Sequence, residues 1–315
     1  MYRIVLRRLL IIPFIVAVVS LLISLSPLVS GIDPATAVLQ AQVLDRQPTP
    51  EAVERLKSDL GLDRPLLAQY AAWLGRVARG DMGTSYMARA PVSDTVLNGL
   101  KVSAILSVVT LAISLTIALP AGILAAMRPG TLLDTTVAFT SQLGVVVPSY
   151  VLAPALILLF GVYLGWLPSA GWRGPLYLIL PCLTLATGPT AFFAQVVRAS
   201  MLEVLSMDYI RTARAKGLKE TLLVRRHALR NALIPVVTLS SMWLAGLIGG
   251  ALIVEVIFSV PGIGRVLFDA INASDMPLIQ GSLMMIVAIS VLLNTATDIA
   301  YVFLNPAIRL EGRST

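Results

Sequence analysis

Six long apolar runs alternate with polar stretches along the 315-residue chain: roughly Leu9–Val29, Val102–Met127, Thr135–Leu164, Leu176–Val197, Ala232–Ile257 and Gly281–Leu304. A helix needs about 20 apolar residues to cross the hydrocarbon core of a bilayer, and each run is long enough. A closed β-barrel is the other way to satisfy every backbone polar group in lipid. Barrels read as short alternating segments, whereas these runs are long and continuous, so helices are predicted. The first run follows Arg3, Arg7 and Arg8, as in a secretory signal. Its length, about 21 apolar residues, makes it a retained span instead. The pattern therefore predicts an all-α membrane protein with six transmembrane helices.

The polar stretches differ in character. Residues 31–101 read as a small folded insert after the first helix. Thr49-Pro50-Glu51 supplies a cap, a first-turn proline and a first-turn acid for a helix that ends at Gly61. Pro65 opens a second helix, with Leu66, Leu67, Tyr70, Trp73, Leu74 and Val77 at helical spacing and Gly80 beyond its end. Asp81–Arg89 is expected to be irregular or extended, and Pro91 starts the approach to the second span. The resulting organisation is residues 1–30 for the N-terminus and first helix, 31–101 for the insert, 102–304 for a five-helix core and 305–315 for a tail. Within the core, the stretch 198–235 interrupts the apolar pattern. Pro120, Pro148, Pro154, Pro181 and Pro189 lie in or near spans, where each removes a helix hydrogen bond. The pair Pro181 and Pro189 points to bending of the fourth span.

The stretch 198–235 is the most structured of the polar segments. Arg211, Arg214 and Lys216 precede Gly217, and cations in a last turn followed by glycine form a helix stop. A second helical stretch with Arg225, Arg226 and Arg230 leads to Asn231 and Pro235. Two short helices joined at a glycine turn are expected, a docking element more than a solvated basic loop.

Composition sharpens this picture. The chain is 57% hydrophobic and 13% charged, against roughly a quarter charged in average soluble domains. This excludes a disordered chain, a coiled coil and a disulfide scaffold. One cysteine, Cys182, and one histidine, His227, leave no cysteine cluster or histidine-rich metal site. The net charge of +7 is unevenly placed. With the N-terminus inside, the inner segments carry fourteen Lys and Arg, eight of them between Arg198 and Arg230. The two short outer loops carry only Arg173 and Arg265. That bias puts both termini in the cytoplasm and sets the basic residues against an anionic bilayer surface. It also argues against nucleic acid as a partner, which would need a charged soluble face.

Two acids stand at or inside span ends. Glu255, at the outer end of the fifth run, is either a lining residue of the path or gate, or a residue at the wet interface. Asp298, inside the sixth, either lines the path or makes a structural polar pair. No G-x-x-x-x-G-K-[ST] is present, so nucleotide hydrolysis by this chain is not expected. A membrane enzyme would show clustered acid, base or nucleophile motifs. A proton-coupled carrier would show an internal repeat and midplane charges.

The run D-Y-I-R-T-A-R-A-K-G-L from Asp208 to Leu218, followed by H-A-L-R-N-A-L-I-P-V-V-T from His227, resembles the loop signature of inner-membrane subunits of binding-protein-dependent ABC importers. It is closest in form to the dipeptide, oligopeptide and nickel permease branch. Leu60–Pro65, Gly80–Ser85, Leu164–Pro168, Glu255–Gly264 and Asn305–Arg309 match the same branch in order along the chain. Against the general pattern E-A-A-x3-G-x9-I-x-L-P, this chain keeps only Ala213 and Gly217. Arg211 and Thr212 replace the first two residues, and the proline falls later, at Pro235.

The resemblance implies a type I importer permease fold in the bacterial inner membrane and passage of short peptides, or else of nickel, a metal chelate or glutathione. It implies partners: a second, homologous permease subunit forming a heterodimer, two ABC ATPase subunits and an extracytoplasmic solute-binding protein. This chain would bind no cofactor, with ATP and Mg held by the ATPase subunits. Asp208, Arg211, Thr212, Ala213, Arg214, Lys216, Gly217 and Leu218 would form the loop that couples to the ATPase.

Overall fold

The computed structural model describes residues 48–304 and, before them, residues 13–15, 17–22, 24, 25, 35, 36, 38 and 39, without the side chains of residue 60 and residues 298–304. Both ends of the first predicted span, the Asn305–Arg309 match and the Asp298 side chain lie outside the described residues. The described residues form helices joined by turns and loops, and their only β pairing is a single bridge between Thr84 and Pro91.

In chain order the helices are α1 (Pro50–Leu60), α2 (Leu66–Val77), α3 (Val92–Met127), α4 (Leu132–Val146) and α5 (Ser149–Tyr163). They continue with α6 (Leu176–Ser206), α7 (Asp208–Ala215), α8 (Glu220–Ala232) and α9 (Ile234–Gly250). The chain then forms α10 (Leu252–Ile257), α11 (Ile263–Asn272) and α12 (Met276–Leu304). The second half of α5 and the middle of α8 are wound as π-helix.

Among the described residues three helices, α3, α6 and α12, are each long and apolar enough to span alone; α4 with α5 and α8 with α9 reach that length and apolarity only as bent pairs. The third apolar run is therefore not one straight helix: α4 and α5 meet at 101°. Pro148 causes this. It lacks an N–H, and its ring forces the preceding Val147 out of the helical region, to φ −72° and ψ 115°. The fifth run also divides. α8 and α9 bend by 47°, and α9 stops at the poor helix formers Gly249-Gly250. Glu255 accordingly belongs to the separate α10. In contrast, α6 runs unbroken through both Pro181 and Pro189.

α3 begins ten residues before its apolar run. Its first turns carry Ser93, Asp94 and Thr95 outward while burying Val92 and Val96 one turn apart. At 1.5 Å per residue its 36 residues reach about 54 Å, beyond a hydrocarbon core of about 30 Å.

The chain divides into two compact units. One comprises residues 1–104 and 248–292, the other residues 105–247 and 293–315. The first unit takes in residues 31–101, the stretch the sequence reads as an insert. Its α1 ends as the sequence predicts, with Gly61 left-handed at φ 67° and its N–H on the Lys57 and Ser58 carbonyls. Tyr70 of α2 donates to the Ala17 carbonyl at 3.0 Å and lies 2.9 Å from the Ser20 hydroxyl. The core of this unit is Val92, Val96 and Ile263, packed by Met82, Leu100, Leu278, Met285 and Ile286.

The second unit is organised around α6, whose Phe193, Val197, Met201 and Val204 pack with Ile210, Leu223, Val224, Ala228 and Ala232. The amphipathic stretch 208–232 is thus seated on the end of α6 by its apolar face. Gly122 of α3 is required here, because a β-carbon would fall 2.7 Å from the Ala194 carbonyl oxygen.

Candidate functional site

The segment after α6 forms a hairpin. α7 packs Ile210, which is fully buried, and half-buried Ala213 against the α6 core. Its opposite face carries Asp208, Arg211, Thr212 and Arg214 outward. Thr212 returns its hydroxyl to the Asp208 carbonyl at 3.0 Å, and Arg211 lies 3.5 Å from the Asp208 carboxylate, both exposed. Such an exposed i,i+3 pair contributes little, about 0.3–0.5 kcal/mol. Lys216 closes the helix, and Gly217 turns the chain at φ 78° with open space where a β-carbon would stand. The need for glycine at this turn is therefore conformational, not steric.

Two cross-links brace the hairpin. Arg214 donates to Glu220 across the turn at 2.6 and 3.2 Å, and Asn231 donates to the Tyr209 hydroxyl at 2.9 Å. Glu220 and Tyr209 were not singled out by the sequence pattern. The eight residues of the sequence signature, Asp208 to Leu218, therefore lie together on one braced projection. Beside it Thr221, Leu222, Arg225 and Arg226 line an open cleft of about 470 Å³.

A second feature of the same unit escaped sequence reasoning. Arg198, near the end of α6, makes a two-bond ion pair with Asp134 in the first turn of α4; the outer bond, to Oδ2, is 2.9 Å. Asp134 also accepts the Gly130 N–H at 3.0 Å. Its side chain is 7% exposed and that of Arg198 33%, so the pair is only partly desolvated. It fastens the start of α4 to the end of α6, where the hairpin begins. The signal was available: Asp134 stands immediately before the third apolar run and Arg198 immediately after the fourth.

The first unit contains two fully buried acids. Glu255 of α10 is 0% exposed. It accepts the Ser103 hydroxyl at 2.5 Å and the Arg265 N–H at 3.1 Å, while Ser103 in turn accepts the Ile263 N–H at 2.8 Å. This carboxylate thus organises the Phe258–Gly262 turn and the start of α11 against α3. Gly262 and Gly264 make room for it, since a β-carbon at either would collide with the Glu255 carboxylate or with Leu252. Burial raises the Glu255 carboxyl above its ordinary range, opposed by the bonds from Ser103, Arg265 and Gly264. Glu255 therefore sits inside protein, and the wet-interface reading of it does not hold.

Asp275, at 1% exposure, precedes α12. It accepts the Ser85 hydroxyl at 2.5 Å, the Met87 and Tyr86 N–H groups at 3.2 and 3.3 Å, and the Leu278 N–H at 3.4 Å. Burial, and next the Asp275 charge, push the Tyr86 phenol up. Asp275 was not singled out by the sequence pattern. Glu255 and Asp275 belong to the first unit and the hairpin to the second. Among the described residues no three His, Cys, Asp or Glu side chains converge as a metal site would require.

Residues 118–310 match the family described as binding-protein-dependent transport system inner membrane component, and residues 1–116 match its N-terminal companion family. Among similar proteins is a peptide ABC transporter permease protein of Sinorhizobium fredii, 38% identical over 313 residues, covering 97% of this chain and 98% of its own length. A peptide transport system permease protein of Brucella abortus is 40% identical over 271 residues, covering 84% and 86%. The glutathione transport system permease protein GsiC of Escherichia coli K12 is 37% identical over 261 residues, covering 83% and 85%. Among solved structures, a chain of the inward-facing MetNI methionine ABC transporter aligns with TM-score 0.56 at 24% identity, over 67% of this chain and 96% of that one. A chain of an amino acid ABC transporter crystallised with histidines aligns with TM-score 0.51 at 14% identity, over 66% and 94%. These two likenesses are of fold.

Proposed function

The chain belongs to the inner-membrane components of binding-protein-dependent transport systems, and we propose that it forms half of the path by which an ATP-driven importer passes short peptides into the cell. As an ABC importer permease it is a multi-pass membrane protein. The observation that carries the reading is the braced hairpin: a rigid, outward-facing α7 seated on the end of a spanning helix.

A transport subunit that has no phosphate-cradling loop of its own needs a surface by which an ATPase can move it. In this reading α7 and the Gly217 turn dock in a groove of an ATPase subunit. Closure of two such subunits on ATP pulls the hairpins together, and Ile210, Leu223 and Val224 transmit the displacement to α6. Residues Asp208, Arg211, Thr212, Ala213, Arg214, Lys216 and Leu218 supply fit and rigidity to that contact, not chemistry. ATP and Mg belong to the ATPase subunits. The arrangement calls for six spans, with the first run as the sixth helix, and for the insert on the outer side with both termini inside. That orientation rests on the fourteen-to-two basic bias between inner segments and short outer loops. It also calls for a second, homologous permease subunit and an extracytoplasmic solute-binding protein. Glu255 would hold the α10–α11 turn as part of an outer gate, and Asp298 would face the path.

Peptide is favoured as cargo by the names of the relatives from Sinorhizobium fredii and Brucella abortus; GsiC makes glutathione, itself a tripeptide, the second reading. The test is uptake in a deletion strain of labelled dialanine, labelled glutathione and a labelled nickel chelate. Loss of dialanine uptake, restored by the cloned gene, is the expected result. Loss of glutathione uptake alone moves the cargo to the second reading. Loss of nickel chelate alone overturns the peptide assignment.

A further inference from the structure

Glu255 fixes a single turn, whereas Asp275 joins segments 190 residues apart. Three of its donors, the Ser85 hydroxyl and the Tyr86 and Met87 N–H groups, come from the irregular end of the insert. The fourth is the Leu278 N–H in the first turn of α12. The insert end is itself continuous with α3. Ser85 donates its N–H to Ala90 at 2.9 Å, and Val92, the first residue of α3, donates to Gly83 at 3.0 Å. One buried carboxylate therefore stands where the insert, α3 and α12 meet.

The backbone around it is constrained. Arg89, just past the clasped turn, and Ser274, immediately before Asp275, both hold left-handed φ values, 51° and 53°. Non-glycine residues stay there only when their surroundings over-determine them. Close packing agrees: a β-carbon on Gly281 of α12 would lie 2.5 Å from Val92 of α3. A neutral amide at position 275 could not accept all four donors, because one oxygen would become a donating NH2.

We propose that Asp275 is a positioning residue that makes the insert and the first turns of α3 and α12 move as one piece. A load applied to the insert by a docked solute-binding protein then reaches both spanning helices. This rests on the importer reading above. It goes further, because it assigns transmission of docking to a residue that touches neither cargo nor ATPase.

The experiment uses the whole importer in liposomes, with its partner permease, its ATPase subunits and its solute-binding protein, saturated with trialanine. ATPase rate is measured without and with that binding protein for wild type, Asp275→Asn and Ser85→Ala. Expected is an Asp275→Asn complex whose basal rate stays within twofold while its stimulation by the loaded binding protein falls at least fivefold. Ser85→Ala should lose less, and the double variant no more than Asp275→Asn alone. Unchanged stimulation in Asp275→Asn overturns the proposal, and so does equal loss of basal and stimulated rates, which marks a merely structural acid. If wild type is not stimulated at all, the peptide reading fails. The clasp is then read from nitroxide labels at Arg79 and Leu292, with and without ATP and vanadate. A fixed distance in wild type that broadens in Asp275→Asn supports it, and identical distributions in both overturn it.

Discussion

Replacing Glu255 tests the physical account of the first unit most sharply. Glu255→Ala removes the acceptor for the Ser103 hydroxyl and the Arg265 N–H, both donors in a site with no water access to the carboxylate. Each buried donor left unpaired costs about 1–3 kcal/mol. Against this stands the relief of no longer burying a carboxylate, so the net loss for two donors is about 2–4 kcal/mol. At roughly 2 °C per kcal/mol for a chain of this size, the unfolding midpoint should fall by about 4–8 °C. The assay is tryptophan fluorescence on heating the detergent-purified protein. Glu255→Gln keeps the shape and one acceptor, and should lose less than half as much. A pH series adds a sign. Burial raises the carboxyl in the folded state above the unfolded value, so the folded state binds the proton more tightly. That stabilisation is fully present below the unfolded value near 4.5 and is lost as pH rises through the folded one. As pH rises above the unfolded value, wild type should therefore lose stability relative to Glu255→Gln. A Glu255→Ala midpoint within 1 °C of wild type, or identical pH profiles for wild type and Glu255→Gln, would refute the reasoning.

Three other outcomes follow from the same geometry. Gly262→Ala has ordinary backbone angles but puts a methyl group on the Glu255 carboxylate, so it should destabilise by about 1–3 kcal/mol in wild type and clearly less in Glu255→Ala, measured as a double-mutant cycle of midpoints. Gly217→Val meets only open space, so its penalty is the left-handed backbone, about 1–2 kcal/mol or more for a branched residue. The protein should reach the membrane in normal amount while ATP hydrolysis by the assembled importer no longer drives uptake; normal uptake would remove the turn from the coupling contact. Arg198→Gln leaves Asp134 with the Gly130 N–H as its remaining partner, and should lower the midpoint, with part of the loss recovered in the Asp134→Asn, Arg198→Gln double variant.

What the sequence disclosed was local. Pro50 and Gly61 bound α1 because a first-turn proline and a left-handed glycine act within a few residues; Thr49 holds the N-cap position, but its side chain makes no capping bond. Gly217 was legible for the same reason. Apolar runs located the spans because lipid imposes length and composition on any crossing helix. They could not disclose the 101° corner at Pro148, since hydropathy is unchanged when an apolar helix turns on itself, although the proline itself was in view. Nor could they separate α10 from α9, because Leu252, Ile253 and Val254 are as apolar as the helix that stops at Gly250. The acids were the least readable. Whether Glu255 meets water or protein is decided by Ser103, 152 positions away, and the role of Asp275 by Ser85, 190 away. Such pairings depend on the tertiary fold, and a single sequence carries no local mark of them.

On the importer reading proposed above, this chain is a moving conduit driven by a neighbour that grips its hairpin. The direct measurement is uptake of labelled trialanine together with nucleotide hydrolysis in liposomes containing the chain alone, the chain with its partner permease, and the full importer with ATPase subunits and binding protein. Accumulation and hydrolysis that arise only in the full set are the expected result. Hydrolysis or concentrative uptake by the chain alone would contradict it.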